Sequence, residues 1–419
     1  KGFQEFLRIP TISGDGPEGP YAEAVSWLTT FATEKLSIVC ETVEVVEGKP
    51  IVVMSWMGSE PELPGVLLNS HYDVVPVMLE HWDTDPFAAV RDAATGRIYG
   101  RGAQDMKCVC IQYLEAVRRL QRTGFHPRRT LRLTFVPDEE IGGTDGMSKF
   151  LASHHWESLQ PIGVALDEGL ANPHDAYTAF YGERAAWWIL VKATGPTGHG
   201  SRFVKDTAVE KLLKLCNKAL KFRQEQEEAL GHTGGCSHAT AKTLGDVTTL
   251  NLTVLRAGVS LDGGKTYSIN VVPTEAMAAF DVRITPNMPP EEFRGLLDKW
   301  CAEEGLSWEY DPRTAPLQKH QLTSTDRVEN PWWGIFSDVM EDVGVRVESE
   351  VFPAATDSRF LRRMGVPAIG FSPMRNTPIL LHDHNEYLEE TVFLEGVGVY
   401  ERLITTMTSA ERMVSEAEA

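Results

Sequence analysis

The chain has 419 residues and a mass of 46.5 kDa, which is more than one ordinary domain needs. Its 40 Lys and Arg against 59 Asp and Glu give a formal net charge of −19, which argues against a protein that binds the phosphate backbone of nucleic acids. No run approaches the ~18 consecutive apolar residues of a membrane span, so we expect no membrane partner.

The first part of the chain alternates helix and strand patterns. Apolar residues at helical spacing predict a helix over Tyr21–Leu36 and another over Gln104–Arg122. Short apolar runs predict buried strands at Ile51–Met57, Val66–Leu68, Leu131–Val136 and Gly163–Leu166. This alternation predicts an open α/β sheet, in which active sites gather at the carboxyl ends of the strands.

The pattern changes near Glu183. The next segment contains, in order, a predicted strand (185–193), a long polar helix (204–228), three strands (247–255, 267–272 and 277–284) and a second helix (289–304). These elements predict a smaller α+β domain inserted into the first, and the α/β alternation returns from Pro331 onwards. We therefore divide the chain into residues 1–182, an insertion at 183–313 and residues 314–419. Two Gly-rich stretches, 231–245 and 258–264, are predicted to be surface loops.

Polar residues follow several predicted strands, at the point where each strand ends. The residues in question are His71 and Asp73, Asp105 (after a further strand predicted near Ile98), Glu139 and Glu140, and Glu168. Taken singly, each has a plain structural reading: Glu139 and Glu140 suit a helix N-terminus, and Asp105 suits an N-cap. Together they concentrate carboxylates at one sheet edge, where like charges repel unless a cation is present. Mixed His and carboxylate ligation at such an edge favours zinc.

Three runs resemble a known family. They are residues 70–76 (SHYDVVP), 100–107 (GRGAQDMK) and 137–143 (PDEEIGG), and they are similar to the di-zinc exopeptidases and amidohydrolases that include carboxypeptidase G, succinyl-diaminopimelate desuccinylase and aminoacylase. The runs at 165–169 (ALDEG), 354–357 (AATD) and 380–384 (LLHDH) agree with this resemblance, which covers nearly the whole chain. Within the family, the chain looks most like the eukaryotic cytosolic N-acyl-L-amino acid amidohydrolases.

The resemblance implies two Zn²⁺ ions per subunit, with one carboxylate bridging them. The implied ligands are His71, Asp105 and Glu168 for one ion, and Asp105, Glu140 and His382 for the other. His384 is an alternative to His382, but the family's final His often precedes a Glu by four residues, which favours His382 before Glu386.

The resemblance also implies catalytic roles. Glu139 would be the general base, and Asp73 would accept the second imidazole N–H of His71 and fix its tautomer. The inserted domain would be a lid and dimerisation domain, whose His199 reaches the metal site of the partner subunit and steadies the oxyanion. That arrangement would make the enzyme a homodimer.

Three further residues are candidates for contact with substrate. Arg359 suits a substrate carboxylate because its planar fork can bind both oxygens, although a surface salt bridge is the plain reading. Asn270 and Arg283 match lid positions, and both could be ordinary strand residues.

The expected reaction is therefore zinc-dependent hydrolysis of N-acyl-L-amino acids to a carboxylate and a free L-amino acid. A di-zinc dipeptidase or carboxypeptidase on the same scaffold is the alternative, and a non-catalytic ligand-binding relative is a third reading. The six cysteines contain no C-x-x-C pair, which favours a reducing, cytoplasmic compartment. Because position 1 is Lys rather than Met, whether a leader segment precedes it stays an open question.

Overall fold

The fold is seen in a computed structural model that describes residues 1–14, 19–231, 243–312, 316–413 and 416. Within these ranges, no helix combines the length and the apolar character that crossing a membrane requires. Most of the first predicted Gly-rich loop, residues 232–242, lies outside the described residues. The second, residues 258–264, contains neither helix nor strand and is largely exposed, as predicted.

The described strands and helices are as follows. The strands are β1 (Val39–Val43), β2 (Ile51–Trp56), β3 (Gly65–His71), β4 (Val90–Arg91), β5 (Arg97–Tyr99), β6 (Leu131–Val136), β7 (Ile162–Asp167), β8 (Ala176–Glu183), β9 (Ala185–Thr194), β10 (Gly198–His199), β11 (Thr249–Ala257), β12 (Val271–Val272), β13 (Glu275–Ile284), β14 (Leu306–Tyr310), β15 (Arg346–Phe352), β16 (Ala368–Phe371) and β17 (Tyr387–Glu389). The helices are α1 (Gly2–Leu7), α2 (Tyr21–Phe31), α3 (Lys107–Arg122), α4 (Lys149–Leu151), α5 (His154–Glu157), α6 (Ala208–Gly231), α7 (Pro290–Trp300), α8 (Pro331–Val343), α9 (Ser358–Arg363) and α10 (Glu390–Ser409).

The chain divides into two units. The first unit comprises Lys1–Gly182, Gln321–Glu350 and Thr356–Ala419, and the second comprises Glu183–His320 with Val351–Ala355. The second unit continues beyond residue 313, where the sequence-based division ends it. Leu317 accepts a hydrogen bond from Trp187 Nε1 at 2.8 Å, and His320 Nε2 lies 3.0 Å from the carbonyl oxygen of Met288, so both residues belong to the packing of this unit.

The first unit is built on a mixed sheet with the strand order β1-β2-β6-β3-β7-β16-β8-β15. Strand β3 pairs in parallel with both β6 and β7, and β7 pairs in parallel with β16. Strands β2 and β3 are buried at every residue because helices cover both faces of the sheet. The predicted α/β sheet is therefore confirmed, with added antiparallel strands.

The second unit has its own four-stranded sheet, in the order β11-β13-β9-β14 among the described residues. Strand β9 alternates buried and exposed residues, because one face packs on α6 and α7 while the other does not. The predicted strand at 267–272 is wrong over its first part. Only Val271–Val272 pairs, with β10, because a turn precedes it in which Val271 N–H donates to the carbonyl oxygen of Ser268 at 3.3 Å.

Candidate metal centre

The central strands of the first unit bring several polar side chains to one edge. Strand β3 ends at His71, and its neighbours β6 and β7 run parallel to it on either side. Glu139 and Glu140 follow β6, and Glu168 follows β7, so these carboxyl groups converge on the end of β3. Adjacent parallel strands therefore produce the convergence that the sequence pattern predicts.

Two groups of potential metal ligands meet at this edge and share Asp105. One group is His71, Asp105 and Glu168, and the other is Asp105, Glu140 and His382; in each, the ligand atoms lie within 4.8 Å of one another. The Nε2 atom of His71 is 3.2 Å from Asp105 Oδ1. The Nε2 atom of His382 is 3.3 Å from Asp105 Oδ2, so the two oxygens of Asp105 face different histidines. This is the geometry of a carboxylate that can bridge two cations.

The alternative histidine takes no part in either group. The ring of His384 lies beside that of His81, with 4.8 Å between the centroids. His382 instead has its Nε2 atom 2.8 Å from Glu140 Oε2. Its backbone adopts a left-handed conformation with φ of +62°.

The loop that carries Asp105 is fixed by Glu386, which is fully buried. The Oε1 atom of Glu386 accepts hydrogen bonds from the backbone N–H groups of Gln104 at 2.6 Å and Asp105 at 3.3 Å. Its Oε2 atom accepts from Gly102 N–H and from the guanidinium of Arg101 at 2.8 Å. Glu386, which the sequence pattern marks only by its spacing from His382, thus fixes the backbone that carries the shared Asp105.

Asp73 connects the histidine end of the site to the turn after β6. Its Oδ1 atom is 3.4 Å from His71 Nδ1, and its backbone carbonyl oxygen is 3.0 Å from the same nitrogen. The carboxylate also accepts the backbone N–H of Glu139 at 3.2 Å and that of Glu140 at 3.3 Å. Ser13 Oγ completes the set at 2.7 Å. Contact with His71 was predicted, whereas contact with the turn was not.

The carboxyl groups of the site carry an excess of negative charge. Burial, followed by the charge of Glu168, raises the pKa of Glu139 well above its usual range. Burial, followed by the charge of Asp105, raises the pKa of Glu140 to about 7. Hydrogen bonds from His382 to Asp105 and then to Glu140 raise the pKa of His382 to about 10. The Oε1 atom of Glu140 is buried and has no hydrogen-bond partner among the described residues. A divalent cation would neutralise this charge and give that oxygen a partner.

Arg359 lies beside the proposed base. Its Nη1 atom is 3.9 Å from Glu139 Oε1, and it donates to the carbonyl oxygens of Thr356 at 2.6 Å and Gly142 at 2.8 Å. Its side chain is only 13% exposed, so it is not a surface salt bridge.

A buried carboxyl group that the sequence analysis did not single out lies next to this region. Asp357 is 1% exposed, and neither of its side-chain oxygens has a hydrogen-bond partner among the described residues. Burial, followed by the charge of Asp167, raises its pKa well above the usual range. Its Oδ1 atom packs against Gly143, where a Cβ would lie 2.3 Å away and where φ is +61°. Only glycine fits at position 143. The run AATD at 354–357 was the only sequence signal for Asp357.

The remaining predicted residues lie in the second unit. His199 is exposed on β10, and its Nδ1 atom faces the backbone N–H of Ser201 at 3.1 Å and the Ser201 hydroxyl at 2.8 Å. The carbonyl oxygen of Asn270 accepts the N–H of Gly200 at 2.8 Å, which brings Asn270 next to the His199 segment. Arg283 lies on β13, and its guanidinium pairs with Asp281 through two contacts of 2.8 and 3.1 Å.

The sequence matches the model of peptidase family M20/M25/M40 over residues 67–406. It is 48% identical to aminoacylase-1 of Dictyostelium discoideum over 98% of this chain and 97% of that protein. It is 47% identical to aminoacylase-1 of Sus scrofa and 46% identical to that of Homo sapiens, in both cases over 99% of this chain and 96% of the relative.

Solved structures share the fold. An M20 family metallo-carboxypeptidase from Sulfolobus solfataricus superposes with a TM-score of 0.70 at 17% identity, covering 97% of this chain and 98% of that one. A dipeptidase from Saccharomyces cerevisiae superposes with a TM-score of 0.68 at 17% identity, covering 98% and 96% of the two chains. At this identity the likeness establishes the fold alone.

Proposed function

Because the chain belongs to peptidase family M20/M25/M40, we propose that it hydrolyses the amide bond of N-acyl-L-amino acids at a two-zinc centre, with Glu139 as the general base. The observation that carries this proposal is that two sets of His and carboxylate side chains share Asp105. Identity of 46–48% to aminoacylase-1 proteins over nearly the full chain supplies the substrate class. The chain is a metal-dependent amidohydrolase of this family.

The residues present fit a pair of divalent ions. His71 and Glu168 would hold one ion, Glu140 and His382 would hold the other, and Asp105 would bridge them. Mixed nitrogen and oxygen ligation suits zinc, and the unpartnered Oε1 atom of Glu140 offers a further donor. When bound, such ions would polarise the amide carbonyl and ease deprotonation of the attacking water.

Glu139 would move the protons. It is 8% exposed, it adjoins the ligand Glu140, and it belongs to neither ligand group. As the general base it would take a proton from water and later pass it to the leaving amine nitrogen. Cleavage of the C–N bond then gives a carboxylate and a free amino acid.

Arg359 would bind the substrate carboxylate. Its guanidinium is held by two backbone carbonyl oxygens near Glu139, so the planar group has a defined orientation. Asn270, which comes directly before β12, would contact substrate from the inserted domain. Arg283, whose Nε and Nη2 atoms pair with Asp281, would do so as well.

The active form would be a homodimer in which His199 serves the partner subunit's site. The backbone N–H of Ser201 is an obligate donor to His199 Nδ1, so Nδ1 accepts and the neutral ring carries its proton on Nε2. That tautomer can donate to an oxyanion. Strand β11 is an edge of its sheet and exposes Val254 and Leu255, which supports a role of the inserted unit in dimerisation. The free thiols of Cys40, Cys108, Cys110, Cys216 and Cys301 suit the proposed cytoplasmic location.

A substrate panel separates this function from its alternative. N-acetyl-L-methionine and other N-acyl-L-amino acids should be hydrolysed with a higher kcat/KM than dipeptides. Dominant cleavage of dipeptides would replace the proposal by a dipeptidase, and cleavage of neither by the zinc-loaded dimer would favour a ligand-binding relative.

A further inference from the structure

We propose that Lys49 is a positioning residue for Glu139: it holds the side chain of Asp138 and thereby fixes the turn that carries Glu139 and Glu140. The inference rests on the proposed function, because it concerns the orientation of the Glu139 side chain, the proposed general base. Lys49 lies in the loop before β2, far in sequence from this turn. It has no place among the ligand or substrate residues described above.

Both side-chain oxygens of Asp138 are held by residues distant in sequence. Lys49 Nζ lies 2.5 Å from Asp138 Oδ2, and the two side chains are only 14% and 2% exposed. The hydroxyl of Tyr21 donates to Asp138 Oδ1 at 2.8 Å. Burial, followed by the charge of Asp73, raises the pKa of Tyr21, so its hydroxyl stays protonated and remains a donor. The Asp138 carboxylate is therefore held in one orientation.

Asp138 occupies a backbone conformation that needs such support. Its φ is +63°, in the left-handed region that residues with a Cβ seldom adopt. Its carbonyl oxygen accepts the N–H groups of Ile141 at 3.3 Å and Gly143 at 2.7 Å, which closes the turn around Glu139 and Glu140. The direction in which Glu139 points thus depends on the conformation of Asp138.

The turn is held from two sides. On one side Asp73 accepts the N–H groups of Glu139 and Glu140, and on the other Lys49 and Tyr21 hold the Asp138 side chain. Loss of Lys49 would leave the carboxylate of Asp138 buried with only a neutral donor. Since breaking a buried ion pair leaves its other charge uncompensated, we expect Asp138 to rearrange and to move the turn.

The loop that carries Lys49 is tied to the residue that follows the first histidine. The Lys49 N–H donates to the carbonyl oxygen of Val46 at 3.0 Å, and the adjacent Pro50 carbonyl accepts the hydroxyl of Tyr72 at 2.6 Å. Tyr72 follows His71 directly, and the ring of Tyr21 packs edge-on against it at 5.2 Å. The loop of Lys49 and the metal-binding edge therefore form one packed network.

The test compares Lys49→Met and Lys49→Arg with Lys35→Met as the matched control, since Lys35 is an exposed lysine that pairs with its neighbour Glu34. The assay is hydrolysis of N-acetyl-L-methionine by the full chain at saturating zinc, together with the melting temperature. Lys49→Met should lower kcat by about 10- to 100-fold with KM nearly unchanged, because Lys49 contacts no substrate group. Lys49→Arg should recover most of kcat, and Lys35→Met should match the wild type. If Lys49→Met does not fold, Lys49→Gln replaces it.

A double-mutant cycle tests whether Lys49 acts through Asp138. The double variant with Lys49→Met and Asp138→Asn should have the kcat of Asp138→Asn alone. Independent, additive losses would overturn the inference, as would a folded Lys49→Met variant with wild-type kcat or an Arg variant as slow as the Met variant. Glu139→Gln distinguishes a failure of the proposed function from a failure of this inference. If Glu139→Gln keeps its turnover, Glu139 is not the general base. If the kcat of Glu139→Gln collapses while that of Lys49→Met is unaffected, only the role of Lys49 is wrong.

Discussion

The side chain of Asp73 accepts the backbone N–H of Glu139, with 3.2 Å between Oδ1 and N. The same oxygen lies 3.4 Å from His71 Nδ1, so one carboxylate orients a proposed metal ligand and the residue proposed to move protons. The metal-binding and acid–base parts of the site are thus mechanically linked.

Replacement of Asp73 by Asn should damage both parts. Asn has one acceptor oxygen in place of two, so one of the N–H groups of Glu139 and Glu140 would face an amide donor. We expect kcat and zinc affinity to fall by about 10- to 100-fold each, measured by steady-state kinetics and by chelator competition. Ser13→Ala, which removes only the hydroxyl donor to Asp73, is the control and should have much smaller effects. An Asn variant with normal zinc affinity and kcat would contradict the link.

Replacement of Glu139 by Gln should separate chemistry from metal binding. The amide keeps the shape of the side chain but cannot take up a proton, so kcat should fall by roughly 10²- to 10⁴-fold while the zinc content stays at the wild-type level. The exposed Glu62→Gln is the matched control for loss of one carboxylate. Retention of near-normal turnover by Glu139→Gln is the result that would remove Glu139 from the mechanism.

Zinc affinity should rise with pH across the neutral range. In the metal-free protein the pKa of His382 is raised to about 10 and that of Glu140 to about 7, so both groups retain protons that zinc must displace. Metal uptake therefore releases protons, and lowering the pH favours the metal-free state. Affinity measured from pH 6 to 9 should increase, with proton release visible in calorimetry. His384→Asn should keep this slope, whereas a flat profile in the wild type would speak against His382 as a ligand.

The burial of Lys107 leads us to expect a second effect of pH, on the free energy of unfolding. The residue is fully buried, and burial lowers its pKa to about 7 while its Nζ donates to the carbonyl oxygen of Ile9 at 2.5 Å. Because the unfolded chain keeps this proton up to the usual lysine pKa, the folded state binds fewer protons above pH 7. The contribution of Lys107 to the free energy of unfolding should therefore grow as the pH rises from 7 towards 10. This contribution should be lost as the pH falls through 7.

Urea unfolding of the metal-free protein at pH 6.5 and 9 measures this effect. The stability advantage of the wild type over Lys107→Met should be larger at pH 9 than at pH 6.5. The exposed Lys35→Met should show no such change, and an advantage that shrinks with pH would contradict the assignment.

Much of the site geometry follows from local sequence. Helix α2 and its extension to Leu36 match the predicted helix, and the strands that end near His71, Glu139 and Glu168 were all predicted from short apolar runs. Since β6, β3 and β7 are adjacent and parallel, the residues after them had to converge. The sequence pattern contains this information because strand direction alone determines which edge a polar residue reaches.

The supporting contacts could not be predicted in this way. Lys49 meets Asp138, and Glu386 meets Asp105, through pairings that depend on how distant segments pack. Neither contact leaves a periodic pattern in the sequence. Asp357 is similar: that it is buried with no hydrogen-bond partner in the described part of the chain depends on how the site packs and not on the residues next to it in sequence. The described residues 316–320 belong to neither helix nor strand, so no periodic pattern marks their packing in the inserted unit.

The most direct test of the account is to titrate the metal-free protein with zinc while following both bound zinc and hydrolysis of N-acetyl-L-methionine. Asp105 is shared by the two ligand groups, so activity should be absent without metal and should reach its maximum at two zinc ions per chain. Asp105→Asn should lose both the second ion and the activity. Hydrolysis by the metal-free protein, or a fully loaded protein that leaves N-acetyl-L-methionine intact, would contradict the central claim.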